Sequence, residues 1–233
     1  MPLYLRPAAA RGHANHGWLD TWHSFSFANY YDPRFMGYRS LRVINEDIVK
    51  PHTGFPTHGH QDMEIITYII EGELEHKDST GGHSIIRRGE VQRMSAGTGI
   101  RHSEMNPSFK EQVKLLQIWL LPEEEGITPG YEQTEFGDDV KLNRLCPIAT
   151  PTGADGSMTI RQDVTVYASI LEKGGSLTHP LAKGRGVWIQ MVEGEMVVNG
   201  QTIQTGDGLV VDGEEAVEIA ASSKSEFLLF DMA

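Results

Sequence analysis

Two short segments bring metal-binding side chains together: His58-Gly59-His60 and His102-Ser103-Glu104. Side chains at i and i+2 of a strand point to one face. Read as strands, the segments each present two ligand groups side by side. Four such groups converge on one ion if the two strands face each other across a barrel interior. Imidazole and carboxylate together suit Fe, Ni, Cu, Mn, Co or Zn. They match neither the all-oxygen cage of calcium nor the thiolate site of structural zinc. One such dyad is a weak signal in a chain with ten histidines; a second of the same form, one hairpin later, strengthens it.

The elements that must position these groups read as strands. Apolar runs at 65–70, 115–121, 186–192 and 227–230 are rich in β-branched and aromatic residues, and the first three end at Glu-Gly or Pro. Helical periodicity is scarce, and the pattern is that of a sandwich or barrel. Asn199-Gly200 is a hairpin turn signal after Val198. Tyr68-Ile69-Ile70-Glu71-Gly72-Glu73-Leu74 resembles Gln190-Met191-Val192-Glu193-Gly194-Glu195-Met196, and each is followed by a glycine-acid pair, Gly89-Glu90 and Gly206-Asp207. The repeat predicts two copies of one β-module. The boundary is expected between Pro122 and Gly156, a stretch rich in Pro, Gly and acids. It is set at 1–135 and 136–233.

The 233 residues fit one large all-β domain or two small ones, and 39% apolar residues suffice for a packed core. A net charge of −12, with Arg87-Arg88 the one dense basic pair, argues against direct nucleic-acid binding. No apolar run approaches a membrane span, and Met1-Pro2-Leu3-Tyr4-Leu5-Arg6-Pro7 is too short and proline-broken for a secretory signal. A cytoplasmic protein is expected. The single cysteine, Cys146, has no base beside it and reads as an inert thiol.

The segment from Gly54 through His58-Gly59-His60, with Glu64 and Glu71-Gly72, resembles the first cupin motif. Gly89 through Met94, then Ser95-Ala96-Gly97-Thr98-Gly99-Ile100-Arg101-His102-Ser103-Glu104 and Asn106, resembles the second. Arg11-Gly12-His13, Phe25-Ser26-Phe27 and Tyr31-Asp32-Pro33 narrow the likeness to the pirins, nearest to bacterial members described as quercetin 2,3-dioxygenases. The resemblance implies an all-β bicupin, two jelly-roll (double-stranded β-helix) barrels packed face to face, with metal in the N-terminal barrel only. It assigns His58, His60, His102 and Glu104 as ligands of one divalent metal, iron foremost. The second half agrees: only His179 stands at the matching place. Strand parity leaves Glu64 open as the carboxylate ligand; the resemblance selects Glu104, with Glu64 as the partner of a histidine or, if neither, a partly buried acid satisfied by a neighbouring backbone or hydroxyl group.

The implied activity is cleavage of flavonols such as quercetin with O2, which can be a side activity, because fold and ligands specify reactivity better than substrate. Glu104 is the catalytic residue, tuning the metal or leaving it to act as a base. The competing class is an iron-binding redox sensor that regulates a protein partner such as a transcription factor. A ring-sized apolar cavity beside the metal separates the two, since only the enzyme needs it. A monomer is expected. His76 and His83 read as solvent-exposed hairpin residues, and His52 as a loop residue at the pocket rim. His13, His16 and His23, with Trp18, Trp22, Phe25 and Phe27, read as an arm covering a barrel. Met63, Ile65 and Met105 read as the dry pocket wall.

Overall fold

Strand-forming runs punctuated by Gly, Asn, Asp and Pro fold here as the pattern predicts. The computed structural model describes residues 3–233 and is nearly all-β. Met1 and Pro2, part of the opening segment read above, lie outside the described residues. No helix among the described residues is long and apolar enough to cross a membrane.

The chain divides into two units. Strand β1 (Leu3–Arg6) belongs with the C-terminal one. The N-terminal unit, residues 12–135 and 160–162, holds β2 (Gly12–Asn15), β3 (Leu19–His23), β4 (Leu41–Val49), β5 (Gly54–His60), β6 (Glu64–Glu71), β7 (Glu73–Asp78), β8 (His83–Arg87), β9 (Glu90–Ser95), β10 (Ile100–Met105), β11 (Val113–Leu120) and β12 (Gly130–Glu135). They form a seven-stranded sheet, β12-β9-β6-β11-β4-β3-β2, and a four-stranded sheet, β5-β10-β7-β8.

The C-terminal unit adds β13 (Cys146–Thr150), β14 (Met158–Thr159), β15 (Val164–Leu171), β16 (Ser176–Pro180), β17 (Gly186–Glu193), β18 (Glu195–Val198), β19 (Gln201–Gln204), β20 (Gly208–Asp212), β21 (Ala216–Ala221) and β22 (Ser225–Met232). Its sheets run β1-β20-β17-β22-β15-β13-β14 and β16-β21-β18-β19. The order β9-β6-β11-β4 recurs as β20-β17-β22-β15, and β5-β10-β7-β8 as β16-β21-β18-β19. The duplicated module is thus present in topology as well as in sequence. In the β18–β19 hairpin, Asn199 and Gly200 both take positive φ, 45° and 81°, as a type I′ turn requires.

The two units fill their interiors differently. In the C-terminal unit one continuous apolar cluster includes Leu181, Val198, Val217, Ile219 and Phe227. In the N-terminal unit one apolar cluster gathers around Leu74, Ile86 and Leu115 and another around Ile65, Met94 and Ile100. Polar residues and a cavity occupy the same interior.

Candidate metal centre

Strands β5 and β10 are antiparallel neighbours, with His102 directly opposite His58. The two dyads therefore sit side by side in one sheet, not on strands facing across the barrel as the sequence suggested. Adjacency suffices because cross-strand partners on one face stand about 5 Å apart. The register then slips, so that Glu104 faces Phe55. The bulge accommodates Pro56, which has no N–H for the ladder. The Pro56 carbonyl is turned to His58 instead and accepts its Nδ1–H at 2.8 Å. That bond fixes the tautomer and leaves the His58 Nε2 lone pair free. Gly54 lies where β5 crosses β10 most closely; a Cβ there would collide with the Glu104 carbonyl and Met105 Cα.

His58 Nε2 and His60 Nε2 each lie 3.0 Å from His102 Nε2. Ring nitrogens about 2.1 Å from one ion at mutual angles of about 90° are about 3.0 Å apart, against about 3.4 Å in a tetrahedral site. The two spacings to His102 fit adjacent positions of an octahedron. Burial pushes His60 down to about 4 and His102 to about 3, with the neighbouring imidazoles adding to both shifts. The rings are therefore neutral near pH 7, the form that binds metal. The donor set fits a divalent transition metal.

Glu104 is buried, and its two oxygens are held unequally. Gln117 Nε2 donates to Oε2 at 2.6 Å, while Thr67 Oγ1 and Gln92 Nε2 approach Oε1 only to 3.4 Å. The donors belong to one line across the large sheet. Gln92 pairs with Thr67, Thr67 with Gln117, Gln117 with Asn45, and Asn45 with His23, strand by strand. His23 Nδ1 and Asn45 Oδ1 close that line at 2.8 Å.

His76 corrects the solvent-exposed reading. It shares strand parity with Leu74 and is fully buried. Its Nε2 meets Asp78 Oδ2 at 3.0 Å and its Nδ1 lies 3.5 Å from His102 Nδ1. His76, His102 and Glu104 form a second cluster whose ligand atoms lie within 4.8 Å of one another, beside that of His58, His60 and His102. The available signal was the Leu74-x-His76 alternation. His83 is indeed exposed, bonded to Glu75.

Glu64 is also placed by parity. It is buried, but Ile65 borders the cavity and Thr67 reaches Glu104, so Glu64 points from the opposite face of β6. The turn at Asp62, φ 47°, breaks the phase between β5 and β6 that the sequence reading carried through. Glu64 Oε2 accepts the Arg161 N–H at 3.2 Å and bonds no histidine. Burial raises its pKa.

A cavity of about 560 Å³ opens beside the three histidines, bordered by Phe27, Phe55, Ile65 and Trp119 among others. That volume suits a drug-sized ligand. The arm does more than cover the barrel: His13, His16, His23 and Tyr30 border this cavity. Ile65 lines it as expected, but Met63 and Met105 do not; Met105 has the wrong parity on β10, and Met63 packs beside Ile65 and Met94. His52 stacks on Phe109 in solvent, away from the rim. Burial raises the Cys146 thiol pKa, which disfavours a nucleophilic thiolate.

Among the described residues, the C-terminal unit holds no equivalent cluster of metal-binding side chains. Counting from Gly72 and Gly194, His76 corresponds to Val198, and its partner Glu104 to Ile219. His102 then corresponds to Val217, His58 to His179 and His60 to Leu181. Four of these five places are filled by members of the apolar cluster. His179 is largely buried: it bonds Asp231 at 2.7 Å, and Arg185 bonds the same carboxylate.

Comparison with known proteins follows the same division. The family model described as Pirin matches residues 5–120, and that described as Quercetinase C-terminal cupin domain matches 147–232. The chain is 54% identical over 230 residues to the quercetin 2,3-dioxygenase of Escherichia coli K12, covering 99% of this chain and 98% of that one. A pirin-like protein of Caulobacter vibrioides is 38% identical, covering 98% of each chain. The crystal structure of bacterial pirin YhhW from Escherichia coli in complex with nickel(II) superposes with a TM-score of 0.95 at 52% identity, over 99% of this chain and 98% of that one. With more than half its residues shared along essentially the whole of a relative, this chain is a bicupin and belongs to the pirin family.

Proposed function

We propose that this protein is a metal-dependent dioxygenase that cleaves flavonols with O2. The metal is held by His58, His60, His102 and Glu104 in the N-terminal barrel, and the C-terminal barrel, residues 136–233, carries none. The observation that carries the reading is the juxtaposition of three imidazoles, a buried carboxylate grouped with His102 and a ring-sized cavity with aromatic walls. A redox sensor has no need of that cavity.

When bound, a divalent metal supplies Lewis-acid and redox chemistry toward a hydroxy-ketone and O2. Iron is the metal we propose, on the octahedral spacing of the ring nitrogens and the demands of oxygen chemistry. The chain's own residues do the rest. His58, His60 and His102 hold the ion and carry no proton at Nε2. Gln117 fixes Glu104 Oε2, so Oε1, with two long contacts, is the oxygen free to bind or to take the substrate hydroxyl proton. Phe55 packs beside His58 and Trp119 against His60, with Phe27 edge-on to Trp119, an apolar wall for the substrate rings.

The test is metal analysis of protein purified without added metal, beside oxygen uptake with quercetin, for the native chain and His102→Ala. Stoichiometric metal and oxygen uptake, both lost in the variant, are expected. Unchanged turnover in His102→Ala would overturn the reading. Metal without uptake would overturn the flavonol as substrate.

A further inference from the structure

The polar line that holds Glu104 ends at Asn45 and His23. One step further along the same strands, on the side away from Trp119, Thr21 of β3 stands directly opposite Asp47 of β4. Both point to the same face as His23 and Asn45 and border the cavity. They are 3% and 2% exposed. Yet Thr21 Oγ1 and Asp47 Oδ1 have no hydrogen-bond partner among the described residues. Their row continues into Leu115 and Ile69, which offer none.

Buried polar atoms are bonded in all but a few cases. Two unbonded oxygens side by side on a cavity wall are the pattern of a site completed by its ligand. The ligand must donate to one oxygen and can accept from the other, which a phenolic hydroxyl does. Burial also raises the Asp47 carboxyl to about 7, with Glu104 and Glu46 adding to it and the Thr21 hydroxyl opposing without closing a bond. Two residues along a strand carry the pair about 7 Å past Asn45, on the scale of one substituted ring.

We propose that Thr21 and Asp47 form a subsite for a hydroxyl on the pendant ring of the flavonol, and so select hydroxylated substrates. This rests on the cavity being the flavonol site.

The experiment measures dissociation constants of the metal-loaded protein without oxygen, then turnover in air. The probes are quercetin and galangin, the flavonol without pendant-ring hydroxyls. The native protein is expected to prefer quercetin. In Thr21→Val and in Asp47→Asn the preference should fall by about 3- to 10-fold, the value of one hydrogen bond. No preference in the native chain, or a preference intact in both variants, overturns the subsite. Should neither flavonol bind, the cavity reading falls and the subsite with it. Should both bind without turnover, the dioxygenase reading fails alone, and the binding ratio still decides the subsite.

Discussion

Gln117 Nε2 and Glu104 Oε2 lie 2.6 Å apart, the tightest of the contacts that hold the buried carboxylate. The bond joins the two sheets of the N-terminal unit, since Gln117 is on β11 and Glu104 on β10. It leaves Oε1 as the oxygen with the longer contacts. Gln117→Leu leaves Oε2 buried and unsatisfied, a cost of about 1–3 kcal/mol. Metal affinity or turnover should drop by about 10- to 100-fold with the fold retained. Chelator titration and circular dichroism together check this; native affinity and native turnover in the variant would refute the positioning role.

His76 stands behind His102 as Asp78 stands behind His76. Burial alone would raise the Asp78 carboxyl, but bonds from Thr80, His76 and the Gly82 backbone outweigh it and hold it at about 2. Asp78 thus remains an anion and keeps the His76 Nε2 protonated. The His76 Nδ1 lone pair then faces the Nδ1–H of His102. His76→Phe should cost about 10- to 100-fold in metal affinity, and His76→Gln, which can still accept a bond, should recover part of it. Equal losses in both variants would point to packing rather than hydrogen bonding.

Acid should destabilise the metal-free protein through the histidines. His60 and His102 fall from an ordinary 6.5 to about 4 and about 3 in the folded chain. Between those values the unfolded chain binds more protons at these rings, so their contribution is present above about 6.5 and lost as pH falls toward 3. Metal binding, which needs the neutral rings, should weaken in the same direction. Urea midpoints of metal-free protein across this range provide the measurement, and His102→Gln should flatten the slope.

Asp47 works in the opposite sense. Its carboxyl rises from 3.8 to about 7 on folding, so the stability it contributes is present below about 4 and lost as pH climbs toward 7. Asp47→Asn removes the buried charge. The variant should exceed the native chain at pH 8 by up to a few kcal/mol and lose that advantage at pH 4. Identical midpoints at pH 8 would mean that Asp47 ionises there without penalty.

The C-terminal unit should behave as packing. Ile219 occupies the place of Glu104 and is 2% exposed within the apolar cluster. Ile219→Ala should destabilise the protein by about 2–5 kcal/mol and leave metal content unchanged. A loss of metal at full stability would show that this unit shapes the centre.

By itself the sequence determined the chemistry on offer. Two i, i+2 dyads at His58-Gly59-His60 and His102-Ser103-Glu104 marked the candidate donors, because strand alternation is a local property that residue spacing reveals. The repeated strand-Glu-Gly-strand signal at Gly72 and Gly194 revealed the duplication, because a tight turn needs glycine wherever it recurs. Only the tertiary structure decided the partners. Which face Glu64 takes depends on the turn at Asp62, and one residue of slip moves a side chain to the other face. That His76 is buried behind His102, that Val198, Val217 and Ile219 close the second barrel, and that Gln92, Thr67, Gln117, Asn45 and His23 form one line across five strands are matters of register between distant segments. The pairing of Thr21 with Asp47 belongs to the same class. Spacing within a strand is written in the chain; spacing between strands is set by how the sheets close.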